Sequence, residues 1–421
     1  MSDIPSRFGN DPQPVGPLGI IAMDGCKSLG EKVNSYLVKW EKEPENADQV
    51  LLTYPGYLRS NFLLDADCPR FSSGEGKAVI RQSVRGYDLY ILCDVTNYSN
   101  TYRMYGMDVP MSPDDYFQDL KRIIAAEGKK AKRVSVIMPY LYEGRQHRRA
   151  ARESLDCAMA LQELTAMGID NIITFDAHDP RVQNAIPLSG FESIMPTYQM
   201  LKAMCHTYDD LRIDKHHMMV ISPDEGALNR NIYYSSAMGV DMGMFYKRRD
   251  YTRVVNGRNP IIAHEYLGDS VEGKDVFVAD DIIASGDSIL DLAYNLKRRK
   301  AKRVFAGATF AFFTSGLEAF DKAYAEGMID HVFATNLTYT PKEVLERPWF
   351  SQADMSKYMA FVIATLNHDQ SLSYLLNRII EMGVVALVIV FQPELRRLLE
   401  RLGGSSIKGL FIHKVQDSDM T

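Results

Sequence analysis

The sequence predicts an α/β protein of two domains, each with a mostly parallel sheet flanked by helices, followed by a helical C-terminal tail. Three observations predict it. Short runs rich in β-branched residues read as near-continuous apolar strands, the pattern of strands buried on both faces. Segments of helical period lie between them. The run KKAKRV at 129–134 returns as KAKRV at 300–304, each time after a helical segment and ahead of a strand. The chain has 421 residues, enough for two or three domains.

Taken in order, residues 1–18 form a polar, Pro-rich extension without the basic and apolar regions of a signal peptide. A first domain is expected over 19–197. Its strands are 133–140 (RVSVIMPY) and 171–178 (NIITFDAH), and its helix is 154–167, where Leu155, Ala158, Met159, Leu161 and Met167 can form an apolar stripe. Residues 97–113, polar and rich in Tyr, Asn and Met, read as a long loop. The boundary falls near 194–199, after Pro187 and Ser189-Gly190. A second domain is expected over 198–375, with strands 217–224, 275–282 and 303–313 and a helix over 288–300. The two basic runs read as cations at helix C-termini, where the dipole favours them. Residues 376–421 form the tail.

Composition bounds the function. Apolar residues make up 46% and charged residues 24%, an ordinary globular balance. The formal net charge of −6 argues against a general nucleic-acid binder, which carries a basic footprint. It does not exclude small anionic substrates, because a few local cations can hold a phosphate. Cys26, Cys68, Cys93, Cys157 and Cys205 contain no CxxC pair and are odd in number, so neither a disulfide framework nor a zinc site is indicated. A cytoplasmic, reducing location fits. The longest apolar run, 382–391, is far short of the ~20 residues that span a bilayer.

The strongest motif is VADDIIASGDS at 278–288. A buried strand delivers Asp280 and Asp281, then Ala284, Ser285, Gly286, Asp287 and Ser288 lead into a helix. Small residues let backbone amides approach an anion, and the helix start adds partial positive charge. Ser285 and Ser288 can donate hydroxyls. The carboxylates can accept from a sugar diol or hold Mg²⁺ through water. A strand-to-helix turn with Ser288 as N-cap and solvated carboxylates satisfies the same pattern. Asp287 is compatible with an anion only if its side chain points away.

This loop resembles the phosphoribosyl-diphosphate loop of type I phosphoribosyltransferases. Other segments narrow the resemblance to ribose-phosphate diphosphokinases, from about residue 20 to about residue 375. Phe71-Ser72-Ser73-Gly74-Glu75, followed by Gln82-Ser83-Val84-Arg85-Gly86, is similar to that family's FS(D/N)GE and ESVRG segments. The resemblance assigns Phe71, Ser73 and Glu75 to the ATP base, with Ser73 standing where the family has Asp or Asn. By itself the stretch also fits an amphipathic strand with Phe71 in a core. Pro139-Tyr140 through Arg145-Gln146 is similar to the PYxxxxRQ segment and implies that Arg145 and Gln146 face the nucleotide. The following His147-Arg148-Arg149 reads as a solvated basic turn. Phe175-Asp176-Ala177-His178 resembles the (M/V)DLH motif, which assigns His178 to Mg²⁺ and the ATP phosphates. Ile221-Ser222-Pro223-Asp224 resembles the (V/I)SPD segment and puts Asp224 beside the sugar or its metal. Lys247-Arg248-Arg249, after an expected strand at 240–246, resembles the flexible catalytic loop and makes Lys247 and Arg249 the catalytic pair. Asp280, Asp281 and Ser285–Ser288 then hold ribose 5-phosphate, with Ala284 where the family often has Asp.

The resemblance implies transfer of the diphosphoryl group of ATP to the C1 hydroxyl of ribose 5-phosphate, with Mg²⁺. It also implies a homo-oligomer, hexameric, with an ATP site shared between subunits. A phosphoribosyltransferase that consumes phosphoribosyl diphosphate shares the loop but lacks the RQ and DAH segments. A non-catalytic regulatory homologue is the third reading. The stretch from about 374 to 403 instead resembles the segment joining the last membrane helix to the catalytic domain in diadenylate cyclases, without that cyclase's DGA and RHR motifs. Leu395, Leu398, Leu399 and Leu402 share one helical face there. Docking on the body or association is the expectation for this tail, because an exposed run of this apolarity risks aggregation, with membrane contact and a fusion or gene-assembly accident as the alternatives.

Overall fold

The apolar strands sort into two sheets in a computed structural model that describes residues 14–41, 59–249 and 261–368. The chain opens with β1 (Leu18–Ala22) and α1 (Lys27–Glu41), then a small ribbon of β2 (Ala66–Asp67) and β3 (Val79–Ile80). Next come β4 (Asp88–Leu92), β5 (Thr101–Met104), β6 (Met107–Pro110) and α2 (Pro113–Glu127). They are followed by β7 (Arg133–Ile137), α3 (Asp156–Ala166), β8 (Asn171–Phe175) and β9 (Gly190–Ile194). The first sheet runs β1-β4-β7-β8-β9, every neighbour parallel. After α4 (Thr197–Thr207) come β10 (Met218–Ser222), α5 (Leu228–Met238), β11 (Asp241–Arg249), β12 (Ile261–Leu267), β13 (Asp275–Ile283) and α6 (Asp287–Arg298). The chain continues through β14 (Arg303–Ala311), α7 (Glu318–Ala325), β15 (His331–Thr335), α8 (Lys342–Leu345), β16 (Phe350–Ala353) and α9 (Ser356–Asn367). The second sheet runs β12-β11-β10-β13-β14-β15-β16, parallel except for the β11–β12 hairpin. The α/β class with two helix-flanked, mostly parallel sheets is therefore what the chain adopts.

The two halves repeat one another. Strands β10, β13, β14, β15 and β16 follow in space the order of β1, β4, β7, β8 and β9. The KAKRV echo is where the repeat is pinned. Arg133 donates through Nε and Nη2 to Asp88 at 2.8 and 2.7 Å, and Arg303 through Nε and Nη2 to Asp275 at 2.8 and 2.6 Å. Asp170 accepts from the Val134 amide and Asp330 from the Val304 amide, at 2.8 and 2.7 Å. Asp88 and Asp275 are buried, which a carboxylate tolerates only with such a fork opposite it. The reading of both runs as helix-terminal cations is corrected for these arginines: they belong to strands and reach sideways to the neighbouring strand.

Each half ends in a helix that packs on the other half. Helix α4 lies on β15 and β16, while α9 packs against α1. Asn367, at the end of α9, donates to Asp88 Oδ2 at 2.9 Å, and Arg133 reaches the Leu366 carbonyl at 2.6 Å. One apolar core lies between one face of the first sheet and helices α2 and α3, around Leu89, Ile91, Leu120, Val136 and Ile172. Two others cover the faces of the second sheet, around Val276, Val278 and Trp349, and around Phe277, Phe305 and Phe333.

Three expectations need correction or bounding. Residues 97–113 are not a plain loop: β5 and β6 form an antiparallel hairpin over Tyr105-Gly106, both at positive φ (50° and 77°). Consecutive positive φ values at a two-residue turn are the type I′ signature, disguised here because a tyrosine sits where Asn or Asp is usual. Lys247-Arg248-Arg249 does not follow its strand but completes β11, with Lys247 opposite His264 and a register shift at Arg248/Arg249. The tail at 376–421, most of the N-terminal extension and the segment 250–260 lie outside the described residues. No described helix is long and apolar enough to cross a membrane.

Candidate active site

The carboxyl ends of β8, β10 and β13 build the site, as expected of an open parallel sheet, where side chains leaving the strand ends line the crevice. Beyond β8 the chain turns sharply at Asp176, whose φ is 42°, a conformation an L residue keeps only when its surroundings impose it. The Asp176 amide bonds the Ile194 carbonyl and the Ala177 amide bonds Ser193 Oγ, so the turn is tied to β9. This projects His178 toward the second sheet.

There, β10 and β13 pair as far as Ile221–Val278 and then part. Asn231 of α5 fills the gap: its Nδ2 donates to the Ala279 carbonyl at 2.8 Å and its Oδ1 accepts from the Ala279 amide at 3.1 Å. Past the gap come Asp280 and Asp281. His178 Nδ1 lies 2.6 Å from Asp281 Oδ2, joining the strand ends of the two halves. Because the carboxylate accepts, the imidazole proton sits on Nδ1, and Nε2 is the nitrogen that can turn to a ligand. The bond to Asp281 raises the His178 pKa. Burial alone would raise that of Asp281, yet His178 and Arg230 hold its carboxyl well below the usual range. Asp280 is pushed the other way, by burial and by the Asp281 charge beside it. Adjacent carboxylates driven apart in this way are a recurrent mark of functional sites.

Arg230, in the first turn of α5, completes the cluster. It donates from Nε to both Asp176 oxygens at 2.9 Å, while its Nη1 lies 3.6 Å from Asp280 and 3.7 Å from Asp281. Thr309 of β14 donates to Asp176 at 2.6 Å. Sequence reasoning did not single out Arg230, Asp176 or Thr309 as site residues. The signal for Arg230 was its place: a cation in a helix's first turn opposes the dipole and needs carboxylates to hold it.

The loop after β13 departs in detail from the simple phosphate cradle. The N-cap of α6 is Gly286, at φ 93° and against the Phe320 ring, rather than Ser288. The Ser285 hydroxyl donates to Asp287 at 2.9 Å, so Asp287 is turned to its own loop and that hydroxyl is already engaged. The first amides of α6 have no acceptor within their helix, which leaves backbone N–H groups as anion donors. The reading of Asp280 and Asp281 as merely solvated is overturned by their ion pairs with Arg230.

Other expected residues are placed as follows. Asp224 Oδ1 accepts from the Gly226 and Ala227 amides at 3.0 and 3.2 Å, shaping the entry to α5. Arg145 is exposed, and its charge reaches His178. Gln146 spends its amide on the carbonyls of Arg148 and Ser154, at 3.3 and 2.8 Å, and so braces its own loop. His147 is not a solvated turn residue: its ring lies 5.3 Å from that of His178, and Nε2 is 3.5 Å from Asp179. Arg148 and Arg149 are exposed.

Phe71, Ser73 and Glu75 form a separate tight turn closed by Phe71 N–Glu75 O, with Ser73 Oγ donating to Glu75 at 2.8 Å. Phe71 is 55% exposed, which excludes the core-strand reading. Among the described residues, none of the bonds these three make reaches the His178 cluster. Lys247 and Arg249 are at the far end of β11, and their side chains lie outside the described residues.

Among the described residues no group of three or more His, Cys, Asp or Glu side chains forms a metal cage. Mg²⁺ does not require such a cage, because it takes one or two carboxylates and completes its shell with water and substrate phosphates.

Comparison with known proteins follows the same division into halves. Residues 18–168 match the family model for the N-terminal domain of ribose phosphate pyrophosphokinase, and 194–333 match that for the phosphoribosyl transferase domain. The chain is 30% identical over 320 residues to the ribose-phosphate pyrophosphokinase of Vibrio cholerae, spanning 74% of this chain and 91% of that one. To that of Chromobacterium violaceum it is 29% identical over 318 residues, spanning 74% and 87%. The phosphoribosylpyrophosphate synthetase of Mycobacterium smegmatis has the same fold, with a TM-score of 0.64 at 19% identity over 84% of this chain and 99% of that one.

Proposed function

This chain belongs to the ribose-phosphate pyrophosphokinase family, and from that premise we propose that it transfers the diphosphoryl group of ATP to the C1 hydroxyl of ribose 5-phosphate. The observation that carries the reading is the 2.6 Å contact between His178 and Asp281, which brings the expected ATP-side and sugar-side residues of one chain into a single cleft.

In this reading the C1 hydroxyl attacks the β-phosphorus of ATP and AMP leaves. The demands on the protein are alignment and charge neutralisation, since a phosphoryl transition state needs little covalent help. Asp280 and Asp281 accept from the ribose hydroxyls. The amides at 285–288 hold the 5-phosphate. His178 turns Nε2 to the ATP phosphates, and Arg145 adds positive charge beside it. Lys247 and Arg249, at the end of the β11–β12 hairpin, close over the transferring group and exclude water. His178 and Asp224 would hold Mg²⁺, which would supply charge neutralisation to the phosphates when bound. Phe71, Ser73 and Glu75, remote from His178 in bonding terms within their own chain, serve the nucleotide base of a neighbouring copy. That sharing fits a homo-oligomer, hexameric as in the resemblance.

The test is AMP release from ATP and Mg²⁺ with and without ribose 5-phosphate. Sugar-dependent AMP supports the proposal. Absence of it in folded protein favours a regulatory homologue, and consumption of phosphoribosyl diphosphate with a free base favours a transferase.

A further inference from the structure

We propose that Arg230 is a positioning residue that couples the two substrate halves of the site, a role that rests on the function proposed above. Its side chain is 9% exposed and faces three carboxylates contributed by both sheets. Asp176 comes from the turn after β8 and is fixed from the other side by Thr309 of β14. Asp280 and Asp281 come from β13. Three carboxylates this close, two of them buried and Asp280 half-buried, would take up protons or move apart without a cation among them. A lysine cannot replace the fork, because one ammonium does not make the planar paired contact with Asp176 while also facing the other two.

The geometry divides the labour of Asp281. Its Oδ2 accepts from His178, while its Oδ1 is the oxygen facing Arg230. Arg230 thereby fixes the angle at which Asp281 holds His178 and at which Asp280 meets the sugar. It touches Asp176, two residues before His178, and so ties the ATP-side turn to the same guanidinium. A shift on either side is felt on the other through this group, with no need for Arg230 to touch a substrate.

The experiment compares Arg230→Met and Arg230→Lys with the wild-type chain in kcat, in KM for each substrate and in hydrogen exchange. Misplacing reacting groups by about an ångström costs on the order of 100-fold in rate, so Arg230→Met is expected to lose about that in kcat while still melting cooperatively. Arg230→Lys, which restores charge without the fork, is expected to recover roughly tenfold of it. Exchange in Arg230→Met should quicken at 176–178 and 280–282 together, with the rest of both sheets unchanged. Wild-type kcat and KM in Arg230→Met would overturn the proposal. So would a loss in both variants that only tracks the fraction folded. Should the wild-type chain give no sugar-dependent AMP, the functional reading fails, and the exchange measurement still decides the coupling. Joint loosening of the two strand ends supports it, and loosening of one end alone, or of neither, overturns it.

Discussion

Asp94 and Asp281 stand at the same place in the two halves, equally far beyond the matched aspartates Asp88 and Asp275 that open β4 and β13. Both reach into the opposite half. Asp94 Oδ2 accepts from the Tyr339 amide at 3.0 Å, and Asp281 Oδ2 contacts His178. Their chemistry is opposite. Asp94 has no cation among its named partners: Thr96 supplies its amide and hydroxyl at 2.9 and 2.7 Å, and burial pushes its pKa up to about 6. Asp281 is held ionised by His178 and Arg230 against the same tendency.

The segments that follow diverge in the same way. After β4, Asn97 accepts from Ser99 and bonds Gly25, and Tyr116 donates to the Asn97 carbonyl, so the turn fills itself with side chains. After β13, Ala284 and Gly286 bring no polar side chain to the loop. A duplicated strand end thus carries an ion-paired cluster in one half and a domain tie filled by its own turn in the other.

The largest effect expected from that contrast is on activity. Asp281→Asn should lower sugar-dependent AMP formation by about 10²–10³-fold, the usual cost of losing one preorganised electrostatic group. Asp94→Asn should stay within about tenfold of wild type, because Asp94 acts on stability alone. Comparable losses in both would break the distinction.

The second prediction concerns the shared joint. Arg133→Met and Arg303→Met each leave a buried aspartate without its fork, and each should destabilise by about 3 kcal/mol in urea unfolding. Equal costs sharpen the repeat. A cost in only one half means that the joint is not equivalent.

A smaller effect is expected at Gly286. A side chain at φ 93° is strained, and its Cβ would run into Phe320, so Gly286→Ala should destabilise by about 1–3 kcal/mol and weaken ribose 5-phosphate binding in calorimetry.

The smallest is a pH effect. The folded-state pKa of Asp94 lies above its unfolded value, so the fold binds this proton more tightly. Its stabilising contribution is complete below the unfolded pKa and is lost as pH rises through about 6. Melting temperatures from pH 4 to 7 should show that decline in the wild type and lack it in Asp94→Asn. An unchanged slope would contradict the assignment.

Much of this was legible in the sequence, for physical reasons. The central strands are buried on both faces, so they read as apolar runs, and β7, β8, β10, β13 and β14 lie where those runs predict them. His178, Asp280 and Asp281 lie at strand ends, where polar residues interrupt apolar runs. Their partnership was not legible, because His178 and Asp281 belong to different halves and meet only once the sheets pack. Arg230 was missed because an isolated arginine on a helix looks like a solvated one until its carboxylates are known. The β5–β6 hairpin was missed because none of its strand residues is buried, so no apolar run marks it, and its turn lacks the usual Asn-Gly. Ser285 shows the converse: its residue type suggested a phosphate donor, while its neighbour Asp287 takes the hydroxyl.

The most direct test of the central claim is a ³¹P nuclear magnetic resonance time course of the full chain with ATP, Mg²⁺ and ribose 5-phosphate. The account predicts that AMP and phosphoribosyl diphosphate appear in equal amounts, that neither forms when the sugar is withheld, and that both form about 10²–10³-fold more slowly when Asp281 is replaced by asparagine. ATP left unchanged by correctly folded wild-type protein, or AMP formed without the sugar, would contradict it.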